Sequence, residues 1–314
     1  MGALTLRARL HGVIDDHLRF PYSRGATDTW DILKLADEDP DDADHILDVY
    51  KNASYHKISA GGGLYNRKHT WPNSYGFPDD GSTNYPYTDC HMLFLCDGSY
   101  NSSRSNNPYR NCNAGCLEKT TLVNNGQGGG SGEYPGNSNW RTGQGPSGTW
   151  ETWIGRRGDV ARAMFYMDVR YEGGTHGNTG ASEPDLILTD DADLIVVTNG
   201  PIAYMGILSV LLEWHEQDPV DDVERNRNDV VFSFQQNRNP FIDNPEWVAC
   251  LFLNECDAEC PQDLDGDGQV EAFDLAILLG SWGPCNDCPA DFDGDGDVNA
   301  ADLAQLLGAW GLCP

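Results

Sequence analysis

No run of about 18 apolar residues occurs anywhere in this 314-residue chain, so the sequence holds no helix able to span a bilayer. Positive charge is scarce as well. Against 49 Asp and Glu stand 20 Lys and Arg, a formal net of −29. A protein that grips nucleic acid over its whole surface would be basic, and that class is excluded. Lys and Arg vanish altogether from residues 256–314, which hold 13 acidic residues and leave residues 1–255 at a net of −16. Contact with a polyanion must then rest on cations gathered locally. The candidates are Arg67, Lys68, Arg104, Arg110, Arg156, Arg157, Arg162 and Arg238. The opening MGALTLRARLHGVIDDHLRF lacks the basic-then-apolar order of an export signal and reads as an amphipathic helix. Ten cysteines nonetheless argue for an oxidising compartment. The expectation is an extracellular protein whose signal is absent from this sequence.

What is present is first of all a repeat. CPQDLDGDGQVEAFDLAILLGSWGPC is followed by CPADFDGDGDVNAADLAQLLGAWGLC, in phase at 28 residues. Each copy opens with alternating carboxylates, Asp263, Asp265 and Asp267, then Asp291, Asp293 and Asp295. Gly268 and Gly296 follow where a calcium loop makes its sharp turn. Gln269 and Asp297 then offer a backbone carbonyl, Glu271 and Asn299 occupy the ninth position, and Asp274 and Asp302 the twelfth. Hard oxygens in this order suit Ca²⁺, one ion per loop. The equal separations of Cys260 from Cys285 and of Cys288 from Cys313 predict a disulfide within each repeat. Cys112 with Cys116 and Cys250 with Cys256 are close enough to pair locally, while the pairing of Cys90 and Cys96 stays open.

The pair of repeats resembles a type I dockerin module. That resemblance covers residues 260–314 and implies a docking tail with a cohesin-type or cell-surface partner. Residues 1–252 form the body, with 253–259 as linker. Its periodicity predicts helices over 3–17, 43–51, 158–171, 203–216 and 219–234, the last capped by Asp218 with Pro219 first in the helix. Residues 184–197 read as a hairpin, and the Gly-rich stretch NNGQGGGSGEYPGNSNW as a surface insertion.

Within the body, YNRKHTWPNSYGFP, TDCHMLFLCDGSYNSSRSNNPY, RGDVARAMFYMDVRYEGG and EWHEQDPVDDVERNRNDVVFSFQQNRNPFIDNPEWV occur in that order. Together they resemble the bacterial endonuclease I family. The resemblance implies an α+β domain, rich in helices, with a ββα-metal (His-Me finger) active site, followed here by the small helical calcium-repeat domain. It implies His69 as general base and Asn101 as a ligand to Mg²⁺. Arg67 and Arg104 would contact phosphate, with Asp89 and His91 supporting the site from behind. The residue types suit the task, since a neutral imidazole can deprotonate water near pH 7 and a guanidinium fork matches phosphate oxygens.

One position departs from the family pattern. The Glu that precedes the His there, a metal ligand, is Lys68 here, and an ammonium cannot ligate a metal. The leading expectation is a secreted, non-specific, Mg²⁺-dependent endonuclease acting on DNA and leaving 5′-phosphate ends, with RNA left open as substrate. The alternative is a catalytically impaired nuclease fold that binds nucleic acid and whose role depends on the calcium-binding tail.

Overall fold

A computed structural model describes residues 2–23, 25–256, 260–285 and 288–313. Two compact units emerge: Arg9–Pro245, and a second formed by residues 2–8 with Glu246 onward. In chain order the elements up to the tail are α1 (Ala3–Ile14), α2 (Thr29–Ala36), β1 (Glu38–Asp39), β2 (Asp42–Leu47), β3 (Ser54–His56), β4 (Tyr65–His69), β5 (Leu93–Asp97), α3 (Gly98–Arg104), β6 (Leu117–Lys119), β7 (Asn139–Thr142), β8 (Thr149–Glu151), α4 (Arg157–Arg170), β9 (Asp185–Leu188), β10 (Ile202–Met205), α5 (Leu208–Gln217), α6 (Asp222–Gln235), α7 (Pro240–Asp243) and α8 (Trp247–Leu253). The sheets are small: β1–β2–β3, β4–β5 and β6–β7–β8 are antiparallel, and β9–β10 is parallel. The body is α+β, as its sequence resemblance implies.

At its centre lies α4, all 14 residues of which are buried. Val160, Met164 and Met167 lie at the spacing of one helix face; the charged side chains are buried as well, because each finds a partner. Arg157 pairs with Glu151, and Arg162 makes a fork to Glu224 (Nε–Oε1 2.8 Å, Nη2–Oε2 2.5 Å). Arg170 makes another to Glu183 (3.0 and 2.9 Å), and Asp168 accepts from the Leu188 N–H (2.7 Å).

Four local expectations differ from the structure, the first being the helix over 203–216, whose opening residues lie in strand β10 while α5 begins at Leu208. Residues 43–51 are not a helix, because Ile46 and Leu47 join strand β2 and pair with Tyr55 and Ser54 of β3. The stretch 184–197 is no hairpin: β9 takes β10 as its parallel partner, Asp185 opposite Ile202. Helix α6 is capped by Asp221, whose carboxylate accepts from the Glu224 N–H (2.8 Å). Asp218 instead accepts from the Gly158 N–H (2.8 Å) in the first turn of α4.

The tail comprises β11 (Gln269–Val270), α9 (Ala272–Gly280), β12 (Gly283–Pro284), β13 (Asp297–Val298), α10 (Ala300–Gly308) and β14 (Gly311–Leu312). The two copies exchange strands: β11 of the first loop pairs with β14, at the end of the second repeat, while β13 pairs with β12, at the end of the first. Val270, Leu278, Ala290, Val298 and Leu306 form the shared core. This exchange overturns the expected disulfides. Cys260–Cys285 and Cys288–Cys313 do not form; the bridges are Cys260–Cys313 and Cys285–Cys288. The Cys313 N–H donates to Gly268 O (3.0 Å), in the loop that follows Cys260, and the Cys285 N–H to Gly296 O (2.8 Å), in the loop that follows Cys288. Each C-terminal cysteine is thereby carried to the start of the other repeat. Cys112–Cys116 and Cys250–Cys256 are also bridged, and Cys90 and Cys96 are free and buried. Of the expected linker, residues 257–259 lie outside the described residues, and Leu253 ends α8.

The crossed pairing is open to direct test. Non-reducing peptide mapping, with cleavage at Asp because the tail offers trypsin no site, should recover Cys260 linked to Cys313. Recovery of Cys260 linked to Cys285 would contradict the strand exchange.

Candidate active site and calcium loops

Strands β4 and β5 place Tyr65 opposite Asp97 and His69 opposite Leu93. Helix α3 follows β5 with no loop, because Asp97 ends the strand and caps the helix. Its Oδ1 accepts from Ser99 N–H (2.8 Å) and Tyr100 N–H (3.3 Å), and its Oδ2 from Lys51 Nζ (2.8 Å) and the Tyr55 hydroxyl (2.5 Å). Burial alone would raise the Asp97 pKa, but Lys51, Ser99 and Tyr55 hold it below the usual carboxylate range. The cap is therefore charged at neutral pH. The result is a ββα unit with His69 closing its first strand and Asn101 and Arg104 on its helix.

His69 is 8% exposed. Its Nε2 faces the Tyr87 carbonyl at 2.9 Å. A carbonyl only accepts, so Nε2 carries the proton and Nδ1 keeps a lone pair for a water proton. The Tyr22 ring lies nearly parallel to the imidazole (25°, centroids 5.8 Å apart) and the Tyr87 ring meets it edge-on at 4.7 Å. Burial, and then the charges of Lys68, Arg67 and Arg104, push the His69 pKa down to about 3, outweighing the Tyr87 hydrogen bond that raises it.

The other expected site residues take varied roles. The Asn101 Nδ2 donates to Arg67 O (3.4 Å), which leaves its Oδ1, a hard neutral oxygen, available to a metal. Arg67 packs its guanidinium over Tyr22 (3.4 Å to the centroid) and Trp30 (4.4 Å). Its donors go to Tyr22 O, Thr29 Oγ1 (2.8 Å) and Ser23 Oγ (3.1 Å), all uncharged. Arg104 is fully buried and does not present itself to a phosphate: its guanidinium is spent on the carbonyls of Thr70 (2.6 Å), Ser105 (3.3 Å) and His69 (3.5 Å). It ties the end of α3 to the end of β4. Lys68 alternates with Arg67 and His69 along the strand and sends Nζ to Ser105 O (2.8 Å) at the C-terminal end of α3. Burial, with Arg104 adding to it, drives the Lys68 pKa well below that of an ordinary ammonium. Asp89 and His91 lie behind the site in the turn before β5, where Asp89 accepts from the Tyr166 and Tyr171 hydroxyls (2.8 and 2.9 Å) and the His91 ring faces Asn237 O (2.9 Å).

Seven Lys and Arg are buried among the described residues. Four have carboxylate partners: Arg157 with Glu151, Arg162 with Glu224, Arg170 with Glu183 and Arg227 with Asp37. The three without one are Arg67, Lys68 and Arg104, all in the ββα unit. A buried charge without a counter-ion is costly, and in a chain with 49 acidic residues its concentration beside one histidine is the strongest electrostatic feature of the body. Of the remaining candidate cations, Arg156 pairs with Asp159 and Arg238 with Asp229 and Asp243, while Arg110 reaches Pro146 O (3.3 Å).

The tail loops fold alike. Asp263 Oδ1 accepts from Gly266 N–H (2.8 Å) and Asp267 N–H (3.1 Å), and Asp291 does the same for Gly294 (2.9 Å) and Asp295 (3.2 Å). Gly268 and Gly296 both sit at φ +91, a conformation that favours glycine. Asp263, Asp265 and Asp267 bring ligand oxygens within 4.8 Å of one another, as do Asp291, Asp293 and Asp302. Asp274, outside the first group, accepts from Leu264 N–H (2.7 Å) and Glu271 N–H (2.7 Å); Asp302 makes the matching bonds to Phe292 (2.8 Å) and Asn299 (2.8 Å). Gln269 and Asp297 lie on the short strands, and Glu271 and Asn299 cap α9 and α10. Sequence reasoning missed the Tyr87 carbonyl, Tyr22, the Ser105 carbonyl and the Tyr166–Tyr171–Gln235 shell around Asp89. A backbone carbonyl leaves no signature in a sequence, whereas the two tyrosines lie within a quoted family segment.

Comparison with known proteins agrees with this geometry. Residues 3–246 match the endonuclease I family and residues 261–308 the dockerin type I domain. The chain is 39% identical to the extracellular ribonuclease of Bacillus amyloliquefaciens over 248 residues, 78% of this chain and 72% of the relative. It is also 39% identical to the extracellular ribonuclease of Bacillus subtilis (strain 168) over 247 residues, 78% of this chain and 73% of that relative.

The environment of His69 fixes a pH response. The pKa of about 3 lies below the ordinary imidazole value, so the ring is neutral throughout the range from pH 5 to 8. Its NMR signals, identified by loss in His69→Gln, should not titrate above pH 5. A midpoint near 6.5 would show that the ring is not buried among these cations.

Proposed function

The chain belongs to the endonuclease I family and carries a C-terminal dockerin type I domain, and from that premise we propose that it is a secreted, non-specific endonuclease hydrolysing phosphodiester bonds of RNA and DNA. The observation that carries the reading is the neutral, buried His69 set among three cations without carboxylate partners. RNA enters because both relatives are extracellular ribonucleases. In this reading His69 Nδ1 takes a proton from the attacking water. Arg67 meets the phosphate, exchanging its hydrogen bonds to Tyr22, Ser23 and Thr29 for phosphate oxygens, which its fork fits bidentately. Arg104 holds the strand and helix together. A backbone-directed grip of this kind tolerates many sequences.

The donor set bears on the metal. Asn101 Oδ1 is one hard oxygen, and with Lys68 committed to Ser105 O no carboxylate takes the family's second ligand position. Such a set fits Mg²⁺ that keeps most of its water shell. The ion, when bound, would supply charge stabilisation for the phosphorane and for the departing 3′ oxygen, leaving a 5′-phosphate. Lys68 also supports the second reading, a nuclease fold impaired in catalysis that retains nucleic-acid binding.

The tail is proposed to take one Ca²⁺ per loop, through Asp263, Asp265, Asp267, Asp274 and the Gln269 carbonyl, and through Asp291, Asp293, Asp295, Asp302 and the Asp297 carbonyl. Around α9 and α10, Phe273, Trp282 and Trp310 are 68%, 49% and 50% exposed, an apolar surface suited to a cohesin-type partner.

Two measurements test these assignments. Refolded, disulfide-intact protein should cleave RNA and plasmid DNA with Mg²⁺ and stop in EDTA, and His69→Ala should lose about 10²–10⁴-fold in rate. An inactive parent that still binds nucleic acid would select the impaired reading, and activity unchanged in His69→Ala would refute the base assignment. Calorimetric titration of the calcium-free chain should show two ions bound, one in Asp263→Ala, with thermal stability falling on chelation. Absence of binding would remove calcium from the account.

A further inference from the structure

The His69 imidazole is aimed by a hydrogen bond to a backbone carbonyl, so whatever fixes that carbonyl governs the base. Tyr87 lies in a single tight turn, Pro86–Thr88, whose far end is Asp89. The Asp89 N–H closes the turn on Pro86 O (3.4 Å), and Asp89 O accepts from Met92 N–H (3.3 Å) and Leu93 N–H (3.2 Å), joining the turn to β5. The next three residues are each anchored, Asp89 and Cys90 both by the Gln235 side chain. Asp89 Oδ2 accepts from the Tyr166 and Tyr171 hydroxyls (2.8 and 2.9 Å), and Oδ1 from His91 N–H (3.0 Å) and Gln235 Nε2 (3.1 Å). The Cys90 N–H donates to Gln235 Oε1 (2.6 Å). The His91 ring faces the Asn237 carbonyl (2.9 Å), and Asn237 Nδ2 in turn donates to the Tyr166 hydroxyl (2.7 Å). Asp89 is 0% exposed. Burial opposes its ionisation, but His17, His91 and the hydrogen bonds from Gln235 and His91 bring its pKa down to about 2, so it is a carboxylate at neutral pH.

We propose that Asp89 is a positioning residue for His69: its carboxylate fixes the turn that presents the Tyr87 carbonyl, and the carbonyl fixes the tautomer and direction of the imidazole. This rests on the reading of His69 as the general base. The number and kind of contacts favour it over a purely structural role. Four donors converge on two oxygens, an arrangement that only a carboxylate satisfies in full. An amide in its place must turn an NH₂ toward two of those donors. The backbone and Gln235 donors cannot reverse, but the two tyrosine hydroxyls can rotate to accept. Asp89→Asn should thus fold with the turn loosened, and Tyr171→Phe should loosen it less, by deleting one donor.

The test uses the full chain with its disulfides intact and ¹⁵N-labelled histidine. In the parent, His69 should be a single Nε2–H tautomer. In Asp89→Asn it should become a mixture of tautomers, with a smaller change in Tyr171→Phe. On an RNA substrate, kcat should fall by roughly tenfold to hundredfold in Asp89→Asn, the size expected of a base displaced by a fraction of an ångström to an ångström, while KM moves less than about threefold. Variants with an unchanged His69 tautomer and unchanged kcat per folded molecule would overturn the proposal, as would a loss of kcat accounted for by unfolded protein alone. If the parent cleaves no substrate, the nuclease reading fails, and the tautomer of His69 in parent and variant still decides this one. If Asp89→Asn does not fold, Tyr171→Phe carries the same readouts.

Discussion

A helix buried along its entire length must find a partner for every charge it carries, and α4 carries five: Arg157, Asp159, Arg162, Asp168 and Arg170. Arg157 and Asp159 find theirs close by, in Glu151 at the end of β8 and Arg156 just before the helix. Arg162, Asp168 and Arg170 instead draw on Glu224 in α6, the Leu188 amide, Glu183 before β9 and Asp15 after α1. Removing one member of a buried pair costs about 3–5 kcal/mol, against a total stability of about 5–15 kcal/mol for a domain. Leaving two of the pairs unmade would consume most or all of that stability in a typical domain. The ion pairs thus act less as a source of net stability than as a specification of which element lies where. They fix α4 and α6, and with them Tyr166 and Gln235, the groups that close around Asp89.

The same arithmetic gives meaning to the cations that are not paired. Arg67, Lys68 and Arg104 are as buried as the arginines of α4, yet they face carbonyls, hydroxyls and rings. Positive charge is thus left without a carboxylate beside His69, and the Lys68 ammonium is weakened by its burial and by Arg104. Burial first, and this positive charge after it, keep the imidazole unprotonated across the range from pH 5 to 8. The cost is basicity, since a ring whose conjugate acid is that strong is a weaker proton acceptor. On the proposed assignment of His69 as base, a well-aimed Nδ1 would have to compensate, and the rigidity of the Tyr87 turn would then matter more than around an ordinary histidine.

Much of this was legible in the sequence and some could not have been. The ordered segments around His69, Asn101 and Asp89 pointed to a ββα unit, and the carboxylate spacing in the tail pointed to paired loops, because those patterns are local. The role of Arg104 was not legible, since its carbonyl partners have no residue identity to read. The disulfides were misjudged because equal spacing within each repeat suggested bridges within each repeat, whereas the strands cross and bring the second half of each copy to the first half of the other. Residues 43–51 show a helical spacing that loses to the pairing of Ile46 with Tyr55. In each case a contact distant in sequence decided against a local signal.

The two parts of the chain place different demands on their surroundings. The tail buries only Val270, Leu278, Ala290, Val298 and Leu306 at its core, too little apolar surface to hold a module of this size unaided. Its loops add clustered carboxylates that repel one another until a cation neutralises them. The bridges Cys260–Cys313 and Cys285–Cys288 supply part of the difference, and the calcium proposed for the loops would supply more. Disulfides and free calcium are both scarce in the cytosol. The body, apart from the local Cys112–Cys116 bridge, relies on a much larger core, in which Cys90 and Cys96 are free and fully buried. On the calcium reading proposed above, folding of the tail is thereby coupled to the medium in a way that folding of the body is not.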